Sequence, residues 1–145
     1  MITNPPFAQI AALLGRARVI AGVGLSADPA RPSHRVARAL QEFGYRIIPV
    51  TPTSAQVLGE RCFPDLDALS AQLAQTGPVD IVDVFRRPEH VAGIVADCIR
   101  LKFPALWLQD GVVDEGAALQ ARSAGIFTVM DRCLFRDRAS LGWQR

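Results

Sequence analysis

The sequence predicts an α/β protein of the doubly wound, Rossmann-like class: a mainly parallel sheet of about five or six strands with helices on both faces. Three observations predict it. Short, almost continuously apolar runs at 19–23, 79–85 and 104–109 read as strands buried on both faces, not strands with one wet face. These runs alternate with stretches of helical period, the order that builds parallel sheets through right-handed crossovers. The first run ends in Gly24, followed by a polar loop with Pro29 and Pro32 and then a helical pattern. Strand, glycine turn and helix N-terminus form an anion cradle, because the first helical amides lack internal partners.

The elements follow in order. A short helix is predicted over 5–15, with Ile10, Leu13 and Leu14 on one face and two prolines at its start. The first strand covers 18–24. A helix follows over 33–43, with Ser33 as N-cap, Val36, Ala39, Leu40 and Phe43 as its stripe, and Gly44 as its stop. A second strand covers 46–50, and a short edge strand is expected at 61–63. The 66–73 segment reads as a helix begun near Asp65. The central strand is 79–85, and Pro88 then opens a helix whose apolar face holds Val91, Ile94, Val95, Cys98 and Ile99. Residues 104–109 form a strand, Asp114 caps a helix that ends at Gly125, and 126–130 form the last strand. The whole of 1–145 reads as one domain, with its core over 17–137 and an arginine-bearing tail at 138–145 in which Trp143 packs.

Composition narrows the function. Half of the 145 residues are hydrophobic and 21% are charged, which suits a globular chain large enough to bury a core without staples. A net charge of +2 is too small for a nucleic-acid binder. Three cysteines, Cys62, Cys98 and Cys133, form no close pair, which argues for a reducing compartment and against a zinc site or disulfide frame. They read as small buried hydrophobes. The N-terminus lacks the order of a signal peptide, and no apolar run reaches membrane-spanning length. A cytoplasmic protein that binds a small molecule, with no metal, nucleic acid or membrane, is expected; a protein partner or a second copy is left open.

In doubly wound folds ligands bind beyond the C-terminal strand ends. That collects five segments: 24–33, 50–53, 85–88, 109–112 and 130–133. Gly22-x-Gly24-x-x-Ala27 loosely matches the dinucleotide fingerprint, but the second strand ends Pro49-Val50-Thr51-Pro52 with no acid to hold a ribose diol. That argues against NAD and leaves a phosphorylated ribose, as in NADP or coenzyme A. Ser26, Arg31, Ser33, His34 and Arg35 lie on the loop, and Phe85-Arg86-Arg87-Pro88 brings two guanidinium groups to the central strand's end. Guanidinium donates two parallel bonds to phosphate. Asp83, buried by alternation, is expected to pair with an arginine or a backbone amide. His90 reads as a surface residue, His34 as the histidine nearer the ligand, and Trp107 as sheet core. No nucleophile–base pair is evident, so the reading is against an enzyme.

The segments GLSADPARPSHRVARALQEFGYRIIPVTP, VLGERCFPDLDAL, VDIVDVFRRPEHV, LWLQDGV and VMDRC resemble, in this order, the small stand-alone CoA-binding domain proteins. These are similar in turn to the CoA-binding domain of the succinyl-CoA synthetase alpha subunit. The resemblance covers about 18–137 and implies coenzyme A lying across the strand ends. It implies Gly24, Leu25 and Ser26 at the pyrophosphate turn, with Ser33 and His34 beside it. It places Val50, Thr51 and Pro52 at the adenosine end, Phe85, Arg86 and Arg87 beside the ligand, and Gln109 and Gly111 along the pantetheine path. Thr51 stands where Asn is common, and Thr53 where a basic residue is often found; Arg31 or Arg35 is then left to reach the 3′-phosphate. Cys133 lies near enough to the site for disulfide capture of a CoA thiol. The implied function is binding of CoA or acyl-CoA without catalysis. Two alternatives remain: an NADP(H)-binding oxidoreductase or redox sensor, and an accessory module presenting CoA to an acyltransferase or ligase.

Overall fold

The computed structural model describes residues 2–142. Helix α1 spans Phe7–Arg16, β1 Val19–Val23, α2 Pro32–Glu42 and β2 Arg46–Val50. A small hairpin follows, β3 Gln56–Val57 and β4 Glu60–Arg61, then the short helices α3 Leu66–Ser70 and α4 Leu73–Thr76. Next come β5 Ile81–Val84, a 3-10 turn Pro88–His90 and α5 Val91–Leu101. The chain continues through β6 Ala105–Leu108, α6 Glu115–Ser123, β7 Phe127–Met130 and α7 Leu134–Ala139.

The main sheet is a five-stranded parallel one in the order β2-β1-β5-β6-β7. The chain leaves β1 toward β2 on one side and returns to β5 on the other, so the order reverses between β1 and β5. Loops that follow two strands at such a point diverge and leave a crevice. Strand alternation divides the core in two. Val19, Ala21, Val23, Val82 and Val84 pack under α3, α5 and α6, and Ile20, Ile81, Trp107 and Val129 pack under α1, α2 and α7. The expected doubly wound class is thus the observed fold, with Trp107 fully buried in it.

Local chemistry explains where elements begin and stop. Asp114 and Asp65 cap α6 and α3 by accepting the amides of Ala117 at 3.0 Å and Ala68 at 2.8 Å. Asp114→Ala is expected to cost about 1 kcal/mol, which calorimetry would read as a melting point lower by about 3 °C. At the β7 edge the Asn4 side chain donates to the Met130 carbonyl at 2.9 Å and accepts the Met130 amide at 2.8 Å. Arg122 donates to the Thr128 carbonyl on the same strand.

The structure corrects four expectations. Helix α2 starts at Pro32, with Arg31 in extended geometry as N-cap, because proline has no amide to satisfy and a φ already helical. Ser33 is therefore not the cap; its Oγ accepts the Ser26 amide instead. The 61–63 edge strand is divided: Arg61 belongs to the β3–β4 hairpin, and Phe63 bridges Val50. The cause is the two-residue turn Leu58-Gly59, both with positive φ. The 66–73 helix is broken, since Gln72 at φ −120° and ψ 21° is not helical. Asp83 has no hydrogen-bond partner among the described residues: both carboxyl oxygens are buried, and it stands between Gly22 and Trp107 on the neighbouring strands. The amide pairing expected of it belongs to Asp80, which accepts Arg18 at 2.7 Å and Val19 at 3.0 Å. Beyond β7, α7 is an element that the apolar periodicity did not reveal. Trp143 lies outside the described residues.

Candidate functional site

A cleft of about 760 Å³ opens at the C-terminal ends of the strands, over the reversal between β1 and β5. Its first wall is the loop after β1. Gly24 sits at φ +84°, in the left-handed region, and donates its amide to the Val50 carbonyl at 2.9 Å. A Cβ on Gly24 would lie 2.5 Å from Cδ of Arg86. The missing side chain therefore lets the Arg86 stem lie against the turn.

The rest of the loop is folded by its own side chains. Ser26 gives its amide to Ser33 Oγ at 3.1 Å, and its Oγ accepts the Asp28 amide at 3.0 Å. Asp28 accepts the Ala30 amide at 2.9 Å. His34 Nδ1 lies 2.9 Å from the Ser26 carbonyl. A carbonyl only accepts, so Nδ1 carries the proton and donates. His34 is buried and props the loop from behind. Arg35 donates to the Ala30 carbonyl at 2.7 Å, and Arg31 lines the cleft.

The second wall comes from β2. Thr51 is buried, and its Oγ1 lies 2.9 Å from Thr53 Oγ1. Pro52 separates the cleft from a smaller side pocket of about 260 Å³. Across the reversal stand Phe85 and Arg86 at the end of β5. Nη2 of Arg86 lies 3.1 Å from Nε2 of His90 on the 3-10 turn.

The far end is built by β6 and the start of α7. Gln109 is buried and accepts the Leu134 amide on Oε1 at 3.0 Å, which fixes its side chain. Cys133, buried, contributes to the wall. Arg136 and Asp110 form a two-pronged ion pair, with Nη2 to Oδ1 at 2.8 Å. The guanidinium holds the Asp110 carboxyl below its ordinary range, and the Arg136 value is raised in turn. Burial pushes the Cys62 thiol up and the Cys98 thiol up to about 12, helped at Cys98 by Asp97. Neither is a thiolate near neutral pH.

Of the residues singled out in the sequence, the fold brings ten together in the cleft wall: Gly24, Leu25, Ser26, Arg31, Ser33, Thr51, Pro52, Phe85, Arg86 and Gln109. His34 and Val50 lie behind that wall as supports. Arg87 is exposed and outside it. Gly111 gives its amide to Asp131 at 2.7 Å and also lies outside it. Pro32, Thr53, Asp110, Val112 and Cys133, which fall within the five strand-end segments, line the cleft as well, and only Val36 and Arg136 were not foreseen as lining residues. Val36 carried only a core signal. Arg136 reaches the cleft from α7. Among the described residues no group of three His, Cys, Asp or Glu side chains could hold a metal, and no helix is long and apolar enough to cross a membrane.

A doubly wound sheet with a crevice at its strand reversal belongs to the class of folds in which ligands bind at the strand ends. Comparison with known proteins narrows the class. Residues 18–138 match the CoA binding domain, and the chain belongs to that family. It is 40% identical over 131 residues to the uncharacterized protein YneT of Bacillus subtilis (strain 168), covering 90% of this chain and 93% of that one. Its fold is similar to that of Prb, a redesigned PH1109 protein, with a TM-score of 0.86, 30% identity, and coverage of 100% and 98% of the two chains. Cell-free ID.343 from Thermus thermophilus gives a TM-score of 0.82 at 34% identity, over 94% of this chain and 99% of that one. The same fold covers 27% of the dinucleotide-forming acetyl-coenzyme A synthetase 1 of Ca. Korarchaeum cryptofilum, at 20% identity and a TM-score of 0.62.

Proposed function

We propose that the protein binds coenzyme A or an acyl-CoA in the 760 Å³ cleft and performs no chemistry of its own. The observation that carries this reading is the self-braced loop from Gly24 to Ser33 facing Arg86 across the strand reversal, in a member of the CoA binding domain family. A loop already held by its own hydrogen bonds loses little freedom on meeting an anion. Gly24, Leu25 and Ser26 take the pyrophosphate turn, with Arg31 and Arg86 supplying charge. Val50, Thr51 and Pro52 border the adenosine end, and Gln109 and Gly111 border the path of the pantetheine arm. Thr53 stands where a basic residue is often found, its hydroxyl against that of Thr51, so Arg31 is the cation left for the 3′-phosphate. Arg35 is occupied with the Ala30 carbonyl. Location in the cytoplasm and the single-domain organisation belong to the same reading.

A calorimetric titration tests it. CoA is expected to bind, dephospho-CoA more weakly and NADPH not at all. Heat with NADPH and silence with CoA would replace this reading with the dinucleotide one. Arg86→Ala should weaken CoA by about 1.5–3 kcal/mol, the worth of a charged hydrogen bond. Arg87→Ala should leave the affinity within about twofold, because a side chain held in solvent adds little.

A further inference from the structure

Arg86 lines both the main cleft and the 260 Å³ side pocket, and with Pro52 it forms the wall that they share. Its stem is pinned on one side by the bare turn of Gly24. What remains to be fixed is the direction of the guanidinium, and that end meets His90. We propose that His90 is a positioning residue: its neutral imidazole, with Nε2 bare, holds the Arg86 guanidinium on the shared wall so that the ligand's phosphate meets it already oriented. This inference rests on the reading of the cleft as a CoA site.

The geometry dictates the protonation. A guanidinium only donates, so a contact of 3.1 Å between Nη2 and Nε2 requires Nε2 to accept. The imidazole proton is then on Nδ1. The other charged groups lining the side pocket have partners of their own. Asp65 accepts the Ala68 amide at 2.8 Å, and Asp97 takes Arg100 at 2.8 Å. Choice of a neutral acceptor matters. A carboxylate would orient Arg86 equally well but cancel the charge that a phosphate needs, whereas an uncharged imidazole fixes direction and leaves the full positive charge free. Pro88 sets the turn that brings His90 back over Arg86 four residues later.

Two measurements test the proposal. Nitrogen-15 NMR of the unliganded protein should show His90 with Nε2 unprotonated and Nδ1 protonated, and Arg86→Ala should abolish that preference. In CoA titrations, His90→Ala and His90→Asn should weaken binding about three- to tenfold, the cost of ordering one long side chain. His90→Gln, whose amide oxygen reaches the place of Nε2, should return the affinity to within about twofold of the original. A protonated Nε2 overturns the pairing whatever the protein binds. Equal affinities across the variants, or His90→Gln as weak as His90→Ala, overturn the positioning role. A protein that ignores CoA yet keeps a bare Nε2 dependent on Arg86 overturns the CoA reading and sustains the pairing.

Discussion

Asp83→Asn is expected to stabilise the protein by an amount that grows with pH. The carboxyl of Asp83 is buried with both oxygens unbonded, and burial alone pushes its value well above the ordinary carboxylate range. In the unfolded chain the same group ionises near pH 4 (about 3.9). Between those two values the folded protein keeps a proton that the unfolded chain releases. The stability associated with Asp83 is thus fully present below about pH 4 and is lost as pH rises toward the raised value. An amide of the same shape has no proton to lose. The variant should match the original protein near pH 4 and then gain about 1.4 kcal/mol per pH unit until the folded carboxyl ionises. Urea denaturation at several pH values between 4 and 8 would show it. Stability curves that run parallel over that range would mean that Asp83 is ionised in the folded protein.

Gly24→Ala should damage stability and binding together. At φ +84° a β-carbon costs about 1–2 kcal/mol in backbone strain. The same carbon would press on the Arg86 stem and drive its guanidinium off the shared wall. CoA affinity is expected to fall by more than about tenfold, since a charged phosphate contact is displaced. Gly125→Ala separates the two effects. Gly125 also has a positive φ, of 89°, with nothing within 4 Å of an added β-carbon, and it lies outside the cleft lining. That variant should lose similar stability and keep its affinity. If Gly24→Ala binds CoA as Gly125→Ala does, Arg86 is not a phosphate contact.

Strand ends are where the sequence was most legible, for a physical reason. Apolar runs ending in Gly24, Pro52 and Pro88 mark the places where chain direction changes, and the parallel topology gathers those places on one rim. Residues that reach the rim from outside the strand ends carry no such mark. Arg136 comes from a six-residue helix too short to show a period, and Val36 presents from its helix a side chain that reads as core. Leu58 at φ 53° hid the hairpin, since the residues usual at such a turn are asparagine, aspartate and glycine. Ser33 misled because a serine after a proline-bounded loop reads as a cap, whereas Pro32 had already started the helix. Asp83 misled because buried carboxylates usually find partners.

The outer strands of the sheet bear on what the molecule can do to its own copies. An unpaired strand edge is a template on which a second chain can add and begin an aggregate. Each edge is covered over part of its length. Along β2, Phe63 accepts the Thr51 amide at 2.8 Å and donates to the Pro49 carbonyl at 3.0 Å. Along β7, Arg122 occupies the Thr128 carbonyl, and the single amide of Asn4 occupies both backbone groups of Met130. A side chain near the N-terminus thus imitates one residue of a sixth strand, and a foreign strand cannot extend the sheet at Met130 without first evicting it.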